Sequence, residues 1–361
     1  MSSRQNAQFI KNWAFFVLYT NYTNTQKNKL YTCIYTKKVV LLRKNRQQIM
    51  ALKGKYEQSH VVVKVIQWLG CTMVLSIIAA GGMVLFEQPF SVSALKWIQF
   101  LQSTAMFLLP PLCMAYLWSK KPLEWLKIRR KGDEARVNWQ LTIGAILLML
   151  VALPAINLLG DWNKQMSLPA FLEPMEQWMK TSEENAKLLT EQFLHVTTFG
   201  GLIINVLLMA VLPAVSEELT FRGILQNLFT PTNNNSSPMG RLGRGTHLAI
   251  WVTAIFFSAI HMQFYGFIPR MLMGALFGYV LVWTGSLWVP ILMHLTNNAM
   301  AVIIYFVALR QGWDLEQMDA IGTGDTLWLG IASIVITIVG IYAFRRSTTM
   351  SKASSRMSSG S

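Results

Sequence analysis

The residues of this 361-residue chain best suited to chemistry fall in three short clusters. The first, Ser216-Glu217-Glu218-Leu219-Thr220-Phe221-Arg222, directly follows an apolar run. Neighbouring residues on a helix point about 100° apart, so Glu217 and Glu218 cannot face the same partner. Glu218 precedes Arg222 by one turn, the favourable order for an ion pair, and Glu217 is left free to point elsewhere. The second cluster is Phe257-Ser258-Ala259-Ile260-His261, and the third is His294-Leu295-Thr296-Asn297-Asn298. In the third, His294 and Asn298 share one helical face. All three sit in apolar sequence, where an ionisable side chain costs about 2.5–3.5 kcal/mol to insert in a bilayer. A helix end with solvated charges would account for the first cluster alone. A hydrogen-bonded core residue would account for either histidine alone. Together the three groups need polar partners that lipid cannot supply, and convergence on one pocket provides them.

Such a pocket supports two chemistries. Glu plus His can hold and deprotonate a water for attack on an amide carbonyl. A second His with an Asn amide can then donate to the tetrahedral oxyanion. Alternatively, Glu217, His261 and His294 form a two-His, one-carboxylate set of the kind that binds catalytic zinc. An HExxH helix is absent, so a metal site would have to be assembled from three separate helices. No serine or cysteine stands in a nucleophile motif, which favours water as the nucleophile.

The elements that position these groups must be membrane helices. The chain is 53% hydrophobic and 14% charged, against about a quarter charged in soluble domains. Apolar runs of the length a bilayer requires recur along it. Eight spans are predicted, about Val61–Phe86, Trp97–Trp118, Gln140–Gly160, Phe193–Val215, Leu248–Tyr265, Met271–Trp283, Leu287–Leu309 and Thr326–Phe344. The fold expected is an all-α polytopic transmembrane bundle with no internal repeat. The net charge of +15 lies mostly between and beyond the apolar runs, which fits anchoring at an anionic leaflet and excludes a nucleic-acid partner. Lys120, Lys121, Lys127, Arg129, Arg130, Lys131 and Arg136 make the segment after the second span cytoplasmic by this rule. The acid-rich segment Asp161–Gln192 then lies outside, and Arg345, Arg346, Lys352 and Arg356 place the C-terminus inside. Both termini are therefore expected in the cytoplasm.

Residues 1–49 differ in composition, rich in Asn, Lys, Tyr and Thr, and read as a disordered or upstream extension ahead of Met50. Residues 50–192 then hold N-terminal helices and loops, 193–309 a catalytic core, and 310–361 a last helix and tail. Cys33, Cys71 and Cys113 have neither metal-ligand nor redox spacing. Gly274 and Gly278, a small-xxx-small pair, predict a close helix contact.

Glu217-Glu218-x-x-x-Arg222, Phe257-x-x-x-His261 and His294-x-x-x-Asn298, in this order on successive apolar segments, resemble the three-motif signature of the CPBP family of intramembrane proteases. That family includes type II CAAX prenyl endopeptidases and proteins linked to bacteriocin self-immunity. The run Thr284 to Leu292 before His294 is also similar, and the likeness covers roughly Phe199 to Ala301. It implies that Glu217 and His261 activate the water, that His294 and Asn298 hold the oxyanion, and that Glu218 and Arg222 brace the first motif. Phe257 is implied as a packing residue one turn from His261. The expected protein is an intramembrane peptide hydrolase of a group often called metalloproteases, in a bacterial plasma (inner) membrane, acting on a membrane-associated peptide or protein. A non-catalytic scaffold or immunity factor, or a proton-coupled transporter, would be the alternatives.

No cofactor is expected to be required, with zinc possible on Glu217, His261 and His294. Asn298 suits an oxyanion donor better than a metal shell. A zinc-ligating His also needs an acid or carbonyl on its other nitrogen. Glu218, the one acid at hand, is assigned to Arg222.

Overall fold

A computed structural model of the chain describes residues 50–86, 90–128, 139–230, 243–313 and 320–359. The extension 1–49, the cations Arg129, Arg130, Lys131 and Arg136, the acids Asp314, Glu316 and Asp319, and the side chains of Lys352 and Arg356 lie outside the described residues. The chain divides into a unit Met1–Lys55 and a unit Tyr56–Ser361, and every contact below belongs to the second.

Among the described residues there is no strand. The principal helices are α1 (Val61–Met83), α2 (Val92–Trp118), α3 (Trp139–Lys164), α4 (Glu173–Leu194), α5 (Phe199–Phe229), α6 (Arg244–Ala259), α7 (Phe267–Thr284), α8 (Trp288–Gln311) and α9 (Leu327–Ser359). Among the described residues seven segments, all but α4 and α6, are long and apolar enough to cross a membrane. Ile66, Met73 and Ile77 on α1 and Trp328, Val335 and Val339 on α9 are more than half exposed. Lipid is the medium that covers such a surface. This is a polytopic integral membrane protein.

The helix ends sort into two layers. At one, the Tyr56 amide donates to Leu117 O (3.0 Å) and Leu287 N donates to Lys127 O (2.9 Å). Asn227 Nδ2 donates to Trp125 O in the same layer (3.1 Å). At the other, Lys96 Nζ reaches Asn205 Oδ1 (2.7 Å), and Asn205 Nδ2 reaches Phe193 O (2.7 Å). Asn157 Nδ2 closes that layer on Ile321 O (3.0 Å). Gly285, left-handed at φ 69°, ends α7 and lets the chain turn into α8 at the first layer.

Three segments depart from the predicted spans, each for a local reason. Phe193 and Leu194 end the amphipathic helix α4, and the fourth span starts at Phe199 instead. That span does not stop near Val215 but continues to Phe229, so the Ser216–Arg222 cluster lies inside a helix and not at an emerging end. Pro213 lacks an amide hydrogen, and the turn before it widens into a π-helical stretch, Val206–Val211. Pro110 and Pro111 have the same effect on α2, where Thr104–Leu108 is π-helical. The fifth span is also shorter than predicted, since α6 ends at Ala259 and His261 sits in the turn beyond it. At 16 residues it is about 24 Å long, less than the roughly 30 Å hydrocarbon core. The sixth, predicted as short from Met271, extends through Arg270 to Phe267.

Gly274 and Gly278 do mark a close helix contact. A Cβ on Gly278 would stand 2.7 Å from Gln226 Oε1 and 3.0 Å from Ile250, and one on Gly274 would stand 3.1 Å from Phe257. Their bare backbones also accept side-chain bonds. Arg222 Nη2 donates to Gly274 O (2.8 Å) and Gln226 Nε2 donates to Gly278 O (3.1 Å). In this way α7 serves as the rail along which the polar residues of α5 are fixed.

Candidate active site

Glu217 and Glu218 end the α-helical segment Leu212–Glu218, and the π-helical stretch Leu219–Gln226 that follows carries Arg222. Such wide turns are frequent at functional sites because they re-aim side chains without ending the helix. Thr220 Oγ1 ties this stretch to Phe107 O of α2 (2.9 Å). Arg222 Nη1 donates to Glu218 Oε1 at 2.8 Å, and both side chains are 0% exposed. The guanidinium also lies over the rings of Phe257 (4.6 Å) and Phe277 (5.3 Å). A carboxylate, a carbonyl and two aromatic rings thus surround the Arg222 guanidinium, while its buried Nε has no hydrogen-bond partner among the described residues.

Glu217 points the other way, as its 100° offset requires. Its Oε2 is 3.8 Å from His261 Nε2 and 3.9 Å from His294 Nε2, and this buried oxygen has no hydrogen-bond partner among the described residues. The three clusters converge. The exposures are graded, 6% for His294, 15% for Glu217 and 27% for His261, so the site opens on the His261 side.

Both imidazoles are held by their other nitrogen. His261 Nδ1 faces Phe257 O at 2.7 Å, and a carbonyl can only accept, so this nitrogen carries a proton. His294 Nδ1 lies 3.0 Å from Glu218 Oε1. This corrects the assignment of Glu218 to Arg222 alone: one oxygen accepts from both Arg222 and His294. The Phe257 ring packs edge-on to both histidines, at 5.1 Å and 5.8 Å. Phe277 stacks under His294 at 5.5 Å. Asn298 is one turn beyond His294, and its Oδ1 accepts from Asn297 Nδ2 (3.1 Å) and not from the other site residues.

The turn that carries His261 is irregular backbone, and side chains of α3, α4 and α7 satisfy its polar groups. Ser258 Oγ donates to Phe267 O (2.7 Å), and Asn163 bonds both Phe264 O (3.2 Å) and the Ile268 amide (2.7 Å). Arg270 grips Gln263 through its carbonyl (3.2 Å) and its side-chain oxygen (2.7 Å). From α4, Glu183 accepts from the Tyr265 amide (3.3 Å) and Trp178 packs on Phe264 (5.2 Å). The sequence alone assigns none of Asn163, Glu183 and Arg270 to the site. Arg270, an ionisable residue at the start of an apolar run, was the available signal.

The donor set fits zinc in kind, with two imidazole nitrogens and a carboxylate facing one point and both Nδ1 atoms anchored. Among the described residues no group of three or more such side chains forms a ready-made metal cage.

A polytopic helical membrane protein with a partly buried Glu–His–His centre is thereby defined. Residues 199–300, which hold all three motifs, match the family described as Rce1-like, the type II CAAX prenyl endopeptidases. The match to this stretch supports the motif resemblance. Over 121 residues the chain is also 28% identical to uncharacterized protein YpbD of Bacillus subtilis (strain 168), covering 32% of this chain and 54% of that protein. The chain thus spans about half the length of this relative. No solved structure matches it.

Proposed function

We propose that the protein is an intramembrane endopeptidase that hydrolyses a peptide bond of a membrane-associated peptide or protein. The observation that carries this reading is the facing of both Nε2 atoms toward the unpartnered Oε2 of Glu217. With Nδ1–H committed to Phe257 O, neutral His261 presents a lone pair at Nε2. A water between this lone pair and the Glu217 carboxylate gives up a proton as its oxygen attacks the substrate carbonyl carbon. The carbonyl π electrons move to oxygen, and His294 Nε2–H and Asn298 Nδ2 donate to the oxyanion. The acquired proton then passes to the leaving nitrogen as the C–N bond breaks.

His294 can donate from Nε2 only with both nitrogens protonated, since Nδ1–H is given to Glu218. In that state Glu217, Glu218, Arg222 and His294 sum to zero charge, as a water-poor site favours. No metal is required for these steps. A bound zinc would be held by Glu217, His261 and His294 and would polarise the carbonyl as a Lewis acid. The test is cleavage by purified protein in liposomes after dialysis against a chelator. Activity should persist with far less than one metal ion per chain. Loss of activity together with stoichiometric zinc, restored by adding zinc, would overturn the metal-free route.

The membrane is proposed to be a bacterial plasma membrane, with Lys120 and Lys121 on the cytoplasmic side and α4 outside. Labelling of single cysteines at Lys121 and Lys187 by an impermeant reagent on intact cells should mark only the second. Equal labelling of both would refute this sidedness.

A further inference from the structure

On the far side of α7 from the catalytic cluster, a groove of about 570 Å³ runs between α3, α6, α7 and α9. None of Glu217, His261 or His294 lines it. Pro269 and Trp283 mark its ends on α7, about 21 Å apart at the helical rise. One leaflet's hydrocarbon is about 15 Å deep, half the core, so the groove is long enough for a single acyl chain.

Its chemistry is unequal from end to end. Leu159, Pro269, Leu272 and Ile334 make one end apolar, and His247, Tyr279 and Arg345 gather at the other. His247 Nδ1 and the Tyr279 hydroxyl are 2.7 Å apart and brace each other. Trp283, stacked on Tyr279, has a buried indole N–H without a hydrogen-bond partner among the described residues. The polar end belongs to the layer of Gly285 and Lys127, the layer the basic segments place against an anionic leaflet. An apolar slot with a cation and a spare donor at its headgroup end is complementary to one kind of molecule.

We infer that this groove binds one anionic phospholipid, with an acyl chain along α7 and the phosphate at Arg345. The occupant is distinct from the substrate of the Glu217 site. The test uses full-length protein, delipidated in detergent and titrated with phosphatidylglycerol or phosphatidylcholine, with bound lipid counted by native mass spectrometry. Wild type should hold one phosphatidylglycerol with about fivefold preference, the effect of one basic group beside an anionic headgroup. Arg345→Gln, an exposed position that should fold, should erase the preference, and Arg346→Gln should retain it. Leu272→Trp should reduce binding of both lipids by filling the slot. Equal preference in wild type and Arg345→Gln would overturn the site. Equal loss in Arg345→Gln and Arg346→Gln would also overturn it, by revealing diffuse surface attraction.

Discussion

Glu217→Gln should slow peptide cleavage by about 10²–10⁴-fold, the range for removing a positioned general base. The protein itself should accumulate normally. The replacement keeps the side-chain shape, and Glu217 Oε2 makes no hydrogen bond whose loss would loosen the bundle. An amide there cannot take a proton from water and turns a donor toward the histidines. His261→Ala should cost a comparable factor, because both residues act on one water. The double variant should then be little worse than the poorer single one, as for groups that act as a unit. Rates of purified protein at matched folded amounts decide this. Multiplicative losses would mean that the two residues work in separate steps.

Arg222→Met should destabilise the bundle by about 3–5 kcal/mol, the penalty for stranding one member of a buried ion pair. Glu218 would keep its charge at 0% exposure, and Gly274 O would lose its donor. Membrane abundance and the melting temperature in detergent should both fall. Adding Glu218→Gln should recover part of that loss, because no uncompensated charge remains. Activity should not return, since His294 Nδ1 would face an amide in place of the carboxylate that orients it. A double variant as unstable as Arg222→Met would refute the buried-charge account. A double variant with normal cleavage would remove Glu218 from the positioning of His294.

Much of this arrangement is legible in the sequence, and what is not has definite physical causes. The apolar runs report the membrane directly, because a bilayer leaves a backbone little choice but helix. The Glu218–Arg222 pair follows from a one-turn spacing, and the freedom of Glu217 follows from its offset. Helix ends are less visible. Pro213 marks a break by local rules, yet α5 absorbs it as a π-helical stretch and continues to Phe229. The end of α6 at Ala259 depends on Asn163, Glu183 and Arg270 stabilising the turn, and no spacing rule connects those residues to His261. The bond between Glu218 and His294 joins positions 76 apart in the chain. Without that bond, the sequence alone offered an argument against zinc that the geometry does not support.

The most direct test of the proteolytic role of Glu217 is a comparison of neo-termini in membrane and released peptides from cells carrying wild type or Glu217→Gln at equal abundance. A set of termini present with wild type and missing with the variant is the expected result, and His294→Ala should remove the same set. Indistinguishable profiles at equal abundance would contradict the assignment, leaving the Glu–His–His cluster as the core of a non-catalytic scaffold or a proton path.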